Sequence, residues 1–382
     1  MIRQIRRTLS SLCNQNRRPH LHKPFSIYES ILFFSTSEPE KSAAPTFVSD
    51  YLTDRHNLSP TTALKVSSYR SRLKDPEKAD AIINFLKDVG FTTTHFELAL
   101  YRAPCLLFSI VDNIRPKIKI LQDAGFSPSD IVEITSSDPW ILTRSADNRL
   151  FPSVVALKNV LGSVADASKL LKLCGWFLRS DLEKTLLPNV EMMKSCGVPS
   201  QQITRYLLVF PRMFLNKPEK LKGFIAQVDE MGVERGSLVF LLAIRAIGSM
   251  SPESWELKLG VFRSLGFSDE DILSIFRKVP LTFTISEKKI REVSRILFET
   301  GEANTALLVS RPELLMLSTE RRLKPRLRVV KILESKNLLK KKPTLTTTCK
   351  ISEEVFLKKY VFPYSDILGD AYGTVSSSVS AE

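Results

Sequence analysis

The sequence predicts an all-α fold built as an array of short helical repeats, and three observations carry that prediction. A glycine returns as Gly90, Gly125, Gly162, Gly197, Gly232, Gly266 and Gly301. A helix-breaking residue returns as Pro104, Pro139, Pro211, Pro280 and Pro312, with Gly175 and Ala246 in the two slots that lack proline. Most intervals are 34 to 37 residues, and the last break follows its predecessor by 32. A fixed period of that size marks units that bury their apolar faces on one another. The third observation is the phase of the apolar residues. Eight, five and four residues before each break stand Phe96/Ala99/Leu100, Ile131/Ile134/Thr135, Ala167/Leu170/Leu171, Ile203/Tyr206/Leu207, Leu238/Leu241/Leu242 and Ile272/Ile275/Phe276. That is the i, i+3, i+4 stripe of a helix. Asn304/Leu307/Leu308 give the last unit a weaker version. No alternating runs predict strands.

In chain order, residues 1–37 stand apart. Arg3, Arg6, Arg7, Arg17, Arg18 and Lys23 all precede the first acid, Glu29. Ile2, Ile5, Leu9 and Leu12 share one side of a potential helix. A basic, acid-poor, amphipathic start has the pattern of an organelle transit peptide, favoured here over a basic arm that contacts nucleic acid. The excess of Arg over Lys points to the mitochondrion, with the chloroplast as the alternative. Residues 38–46 read as a linker, 47–373 as the repeat domain and 374–382 as a disordered, Ser-rich tail. Phe47, Val48, Tyr51 and Leu52 open the array as helical positions. Leu58-Ser59-Pro60 forms a degenerate junction whose helix carries Ala63, Leu64 and Val66. A partial unit closes it with Val355, Phe356, Tyr360 and Phe362.

Within each full unit the local signals agree. Ser127 with Asp130 and Ser268 with Asp271 predict N-caps with an acid at the third helical position, and Phe126/Ile131 and Phe267/Ile272 have hydrophobic-staple spacing. The break proline removes a donor and ends the first helix. An apolar pair follows it, as Leu106-Leu107, Ile141-Leu142, Phe177-Leu178, Met213-Phe214 or Leu314-Leu315, and packs the turn between units. A second helix runs to the next glycine, which suits a C-terminal cap.

Charge and chemistry narrow the function. The chain of 382 residues carries a net charge of +14. Residues 318–350 hold eleven Lys/Arg against Glu320 and Glu334, a net of +9, whereas residues 41–317 hold 36 against 31. A polyanion partner at the C-terminal end of the array fits that imbalance, and a merely solvated basic face competes with it. Arg321, Lys324, Arg328 and Lys331 fall on one helix edge, beside an apolar stripe of Leu323, Leu327 and Val330. Arg322 and Arg326 add to that segment. Further cations after or near the breaks complete the set of nucleic-acid contacts: Arg144, Arg149, Arg179, Lys184, Lys217, Lys220, Arg277, Lys278, Lys288 and Lys289. Some of them also have acids within pairing reach, among them Asp147, Asp181, Glu183, Glu219 and Glu287. Trp140 and Trp176 share the slot after the break, where junction packing is favoured over base stacking.

No enzyme is predicted, and no catalytic residue, metal or cofactor. His20, His22, His56 and His95 form no catalytic set, and Cys13, Cys105, Cys174, Cys196 and Cys349 contain no Cys-x-x-Cys pair. Cys105, Cys174 and Cys196 read as reduced, packed thiols, and His95 as a surface or capping residue. No phosphate-binding glycine loop is present. No apolar run reaches a membrane span, so a membrane is not among the expected partners.

The run Tyr51-Leu52, Leu58-Ser59-Pro60, Arg72-Leu73-Lys74-Asp75-Pro76-Glu77-Lys78-Ala79-Asp80 and Phe85-Leu86-Lys87-Asp88-Val89-Gly90-Phe91 resembles the N-terminal signature of plant mTERF proteins, the mitochondrial transcription termination factor family. The breaks at Pro104, Pro139 and Pro312 resemble mTERF repeats, as does Leu182-Glu183-Lys184-Thr185-Leu186-Leu187-Pro188. Arg321 to Arg326 and Phe356 to Tyr364 resemble the family's C-terminal end. The likeness covers roughly residues 47–373 and departs from the pattern at Gly175 and at Ala246-Ile247-Gly248-Ser249. The resemblance implies a superhelical, half-doughnut solenoid of α-α-3₁₀ repeats with a basic groove. It implies a monomer that binds organellar double-stranded DNA or RNA and regulates gene expression, by transcription termination or transcript processing. Intron splicing or ribosome assembly on RNA is the alternative, as is a protein-binding scaffold.

Overall fold

The computed structural model describes residues 46–372. The transit peptide expected over residues 1–37, the linker up to residue 45 and the tail 374–382 lie outside them. The chain divides into two compact units, residues 46–222 and 223–372 among those described, and the division falls within the helix Pro218–Glu230.

The fold is the all-α repeat array that the periodicity predicts. In unit 46–222, first helices run at Thr93–Arg102, Pro128–Ser137, Val164–Leu173 and Ser200–Val209. Each breaks into a five-residue 3₁₀ turn: Pro104–Phe108, Pro139–Thr143, Gly175–Arg179 and Pro211–Leu215. Second helices follow at Val111–Asp123, Phe151–Leu161 and Leu186–Ser195. The expected stripes are buried: Phe96, Ala99 and Leu100, then Ile131, Ile134 and Thr135, then Ala167, Leu170 and Leu171, then Ile203, Tyr206 and Leu207. The apolar pair of each 3₁₀ turn is buried too, Ile141-Leu142 and Phe177-Leu178 among them. Burying one such side chain contributes about 1.5–3 kcal/mol, so the junctions hold much of the inter-repeat stability.

The caps follow the sequence. Ser127 and Asp130 form a capping box, as do Ser268 and Asp271. His95 belongs to a third, since its Nδ1 accepts from the Thr92 backbone N–H at 3.1 Å. The seven repeat glycines all have positive φ, from +72° to +111°, which ends each second helix in the left-handed region.

Two second helices with proline at their second position open with a wider turn. Leu150 N–H donates to Ser145 O at 3.0 Å and Leu323 N–H to Ser318 O at 2.9 Å, both five residues back. Pro152 and Pro325 stand two residues further on. Neither can donate into a helical ladder, and the π-turns Ala146–Leu150 and Thr319–Leu323 absorb the mismatch just before them.

A recurring latch joins neighbouring repeats. A side chain on the second helix donates to the backbone carbonyl 27 residues ahead, at the end of the next repeat's turn or of the short helix in its place. Ser153 reaches Ser180 O at 3.2 Å, Asn189 reaches Asn216 O at 2.8 Å and Lys289 reaches Met316 O at 2.8 Å. Lys258 meets Ile285 O in the same way. The last carbonyls of a turn have no partner within it, so a donor from the neighbour removes a desolvation penalty.

Unit 223–372 departs from the expected register at the helix Leu238–Gly248. Leu238 is exposed, and Leu242 is half-buried. The helix Leu238–Gly248 buries Phe240, Leu241, Ala243, Ile244, Ala246 and Ile247 instead. Phe240, Ala243 and Ile244 stand eight, five and four residues before Gly248. The break slot is therefore Gly248 and not Ala246. A Cβ at Gly248 would lie 2.9 Å from Phe224 Cε2, which explains glycine there. No 3₁₀ turn follows it: Ser251 caps the next helix, Pro252–Ser264, at once. The 3₁₀ turns return at Pro280–Thr284 and Pro312–Met316.

The ends differ more from expectation. Thr46–Phe47 pairs antiparallel with Arg72–Leu73 as a two-residue strand pair, so Phe47 is an exposed strand residue and opens no helix. The helix Pro60–Tyr69 buries Thr62, Ala63 and Val66 and exposes Leu64. At the C-terminal end Phe356 and Tyr360 are core, with Val329, Val330 and Leu333 of the helix Lys324–Ser335, while Val355 and Phe362 are exposed. No single helix among the described residues is long and apolar enough to cross a membrane.

Candidate nucleic-acid interface

The cations singled out in the sequence sort into three groups once their partners are known. The first group is used inside the protein. Arg326 is fully buried, which removes it from any nucleic-acid interface. It donates to Thr348 O at 3.2 Å, to Ile351 O at 2.6 Å and to the Glu353 carboxylate at 2.7 Å, and its guanidinium lies 4.6 Å from the Phe356 ring centre. Arg326 takes the core position expected for Leu327, which is only half-buried. Its neighbour Arg322 closes the latch to Cys349 O at 2.9 Å and also reaches Ile351 O at 2.6 Å. Lys289 is the latch to Met316. Arg277 Nε donates to Met231 O at 2.7 Å, at the end of the preceding second helix, and Lys278 Nζ to Val309 O at 2.8 Å. A cation at helix-terminal carbonyls satisfies them and suits the negative end of the helix dipole.

The second group is held by acids. Arg149 pairs with Asp181 at 2.6 Å and Lys184 with the same carboxylate at 3.5 Å. Arg179 Nε lies 3.2 Å from Asp138, whose carboxyl burial pushes upward against the pull of Arg179. Lys324 pairs with Glu320 and, at 3.5 Å, with Glu292. Its hydrogen bond to Glu320 raises its pKa.

The third group is exposed and forms no ion pair with another described residue: Arg144, Lys217, Lys288, Arg321, Arg328 and Lys331. Lys220 is exposed as well. The basic edge expected from Arg321, Lys324, Arg328 and Lys331 thus keeps three free cations and one paired one. Lys331 also lines a cleft of about 300 Å³ with Glu299, Glu302 and Glu334, in which Lys342 bridges Glu302 and Glu334 at 2.8 Å each. Lys336, Lys340 and Lys341 are exposed without ion pairs to described residues and extend the basic surface. They lie outside the candidate contacts named above, although they contribute to the net charge of residues 318–350. Among the described residues no group of three or more His, Cys, Asp or Glu side chains is placed to hold a metal ion.

The family model described as mTERF matches residues 83–307, more than half of the chain. The chain belongs to the mTERF family. A similar curated protein is the transcription termination factor MTERF8, chloroplastic, of Arabidopsis thaliana, 22% identical over 256 residues. The match takes in 66% of this mTERF protein and 50% of that relative, so the chain spans about half of the relative's length. The family match stops short of the basic segment 318–350.

Proposed function

We propose that this mTERF protein is an organellar nucleic-acid-binding regulator of gene expression, with double-stranded DNA as its partner and transcription termination or transcript processing as its role. The observation that carries the reading is the charge left over after internal pairing. In residues 318–350, Arg321, Arg328, Lys331, Lys336, Lys340 and Lys341 stay exposed and without ion pairs to described residues. An exposed cluster of one sign is the footprint of a polyanion. Family membership and the printed name of the Arabidopsis relative support the same reading. The acid-free, Arg-rich start supports import into an organelle, and the mitochondrion is the compartment we favour.

The test is duplex binding by the full chain at a series of salt concentrations. Each phosphate contact adds about 0.9 to the magnitude of the log-log salt slope on duplex DNA. Salt-dependent duplex binding is the expected result. Binding confined to RNA would move the role to RNA processing, and binding to neither would overturn the reading. A fluorescent fusion to residues 1–45 that remained in the cytosol would overturn the organellar assignment.

A further inference from the structure

The residue one place after the break is exposed or half-buried in each 3₁₀ turn, beside the buried apolar pair. In unit 46–222 this slot holds Cys105, Trp140, Trp176 and Arg212 in consecutive repeats. The turn's apolar pair faces the core, so its neighbour in sequence turns toward the edge. Trp140 is 39% exposed, and no ring or cation of the described residues lies over it. Trp176 is half-buried, with the Arg212 guanidinium 5.2 Å from its ring centre.

The apolar surface continues along the ends of the first helices. Leu173 and Val209, each two residues before a break, are 80% and 63% exposed. The positions are contiguous from repeat to repeat: Arg102, two before its break, donates to the carbonyl of Ser137, two before the next, and Arg212 reaches across to Trp176. Neighbouring packed helices lie roughly 8–10 Å apart, which sets one flat platform per repeat.

The charge of this edge is mostly basic. Residues 101–108, 136–144, 172–179 and 208–216 contain Arg102, Arg144, Lys172, Arg179 and Arg212 against Asp138. Asp138 is buried and paired with Arg179, and Lys172 is held by Asp130 and Glu133, which leaves Arg102, Arg144 and Arg212 without an ion pair to a described residue. Flat exposed rings between cations match unpaired bases with their phosphates, since every base has a face to stack and a charge beside it. In a duplex those faces are already stacked on one another.

We propose that this edge of unit 46–222 is a binding track for single-stranded nucleic acid. Bases stack on Trp140 and on the Trp176–Arg212 pair, and phosphates meet Arg144. The proposal rests on the nucleic-acid reading above and narrows it to a strand with free bases at this site.

The experiment is titration of the full chain with oligothymidylate and, separately, with duplex DNA, followed by tryptophan fluorescence and by labelled-oligonucleotide anisotropy. The remaining tryptophan, Trp255, is buried, so quenching by ligand reports Trp140 and Trp176. Trp140→Ala is expected to weaken oligothymidylate binding by about tenfold, the loss of one stacked base. Duplex affinity should stay unchanged, and Trp140→Phe should recover most of the loss. Arg212→Ala, at an exposed position, should weaken oligothymidylate binding in the same selective way. Equal losses on both ligands, or no loss on either, would overturn the track, and the latter is the result expected of an acidic protein partner at this edge. A chain that binds duplex but not oligothymidylate overturns this inference and leaves the proposed function standing. A chain that binds neither overturns both.

Discussion

Gly175 packs against Asp138 with no room for a side chain between them. A Cβ at Gly175 would lie 2.7 Å from the Asp138 Cβ and 3.5 Å from the Ile134 carbonyl oxygen. The slot that holds proline in the neighbouring units holds glycine here because the Asp138 side chain occupies the space. Gly175→Ala should therefore force the junction apart and lower stability by about 1–3 kcal/mol, the usual cost of overpacking. Gly162 is the control: its Cβ would meet nothing within 4 Å, but its φ is +74°. Gly162→Ala should cost about 1 kcal/mol from backbone strain alone. Urea unfolding followed by circular dichroism measures both. Equal, small effects would mean that the Gly175 contact relaxes freely.

Arg326 predicts how the C-terminal end comes undone. It satisfies the buried Thr348 carbonyl, shares the Ile351 carbonyl with Arg322 and stacks on Phe356, so Arg326→Ala leaves a cavity and an unpaired acceptor at Thr348, at a cost of about 3 kcal/mol. Cys349 reports the event. Burial pushes its thiol up to about 11, so the folded protein holds it unreactive near neutral pH. A thiol reagent should label Cys349 slowly in the native chain and much faster in Arg326→Ala. Labelling at the native rate in that variant would show that Phe356 and Val329 hold the end without the arginine.

The sequence carried the repeat well and its use of charge poorly, for physical reasons. Glycine at a left-handed helix end, proline at a break and serine with aspartate at a cap each act through their own backbone, so Gly125, Pro139 and Ser127 are readable in place. Ala246 misled because the true break, Gly248, lacks proline and its neighbour Phe224 is visible only in three dimensions. Lys289, Arg322 and Arg326 misled because a cation looks the same whether it meets solvent, an acid or a carbonyl. The constant separation of 27 residues between latch and acceptor is a signal in the sequence, but the repeat register has to be known first. Trp140 serves both the junction and the surface. Junction packing is the expectation for its slot, and most of its ring is covered there while more than a third stays exposed.

Acid should loosen the junction held by Lys172. Its Nζ lies 2.8 Å from Asp130 and 2.9 Å from Glu133 of the preceding repeat. The hydrogen bond from Lys172 holds the Asp130 carboxyl far below the usual range, aided by Ser127. A carboxyl depressed in the folded state stabilises above its unfolded pKa of about 3.9 and loses that contribution as pH falls toward the folded value. Lys172→Met should melt below the native chain at neutral pH, and the gap should narrow below about pH 4. A gap that stayed constant with pH would assign the effect of Lys172 to its aliphatic stem.

The basic edge of the helix Lys324–Ser335 and its opening turn gives the most direct test of the interface. Arg321, Arg328 and Lys331 are exposed and form no ion pair with described residues, while Lys324 is held by Glu320 and Glu292. Replacing the three free cations by Ala should flatten the log-log salt slope of duplex binding by up to about 2.7, from 0.9 per lost phosphate contact. Lys324→Ala should change it little, because that charge is already neutralised. Helical content should survive the triple change, since Leu323, Val329 and Val330 still bury the inner face. Lys331 is the weakest of the three, because Glu299, Glu302 and Glu334 share its cleft and attenuate its field. A slope that fell with Arg321→Ala and Arg328→Ala but not with Lys331→Ala would place the phosphates on the side of the helix away from that cleft. An unchanged slope in the triple variant would shift the duplex contact to Lys336, Lys340 and Lys341, leaving the helix edge as a solvated face.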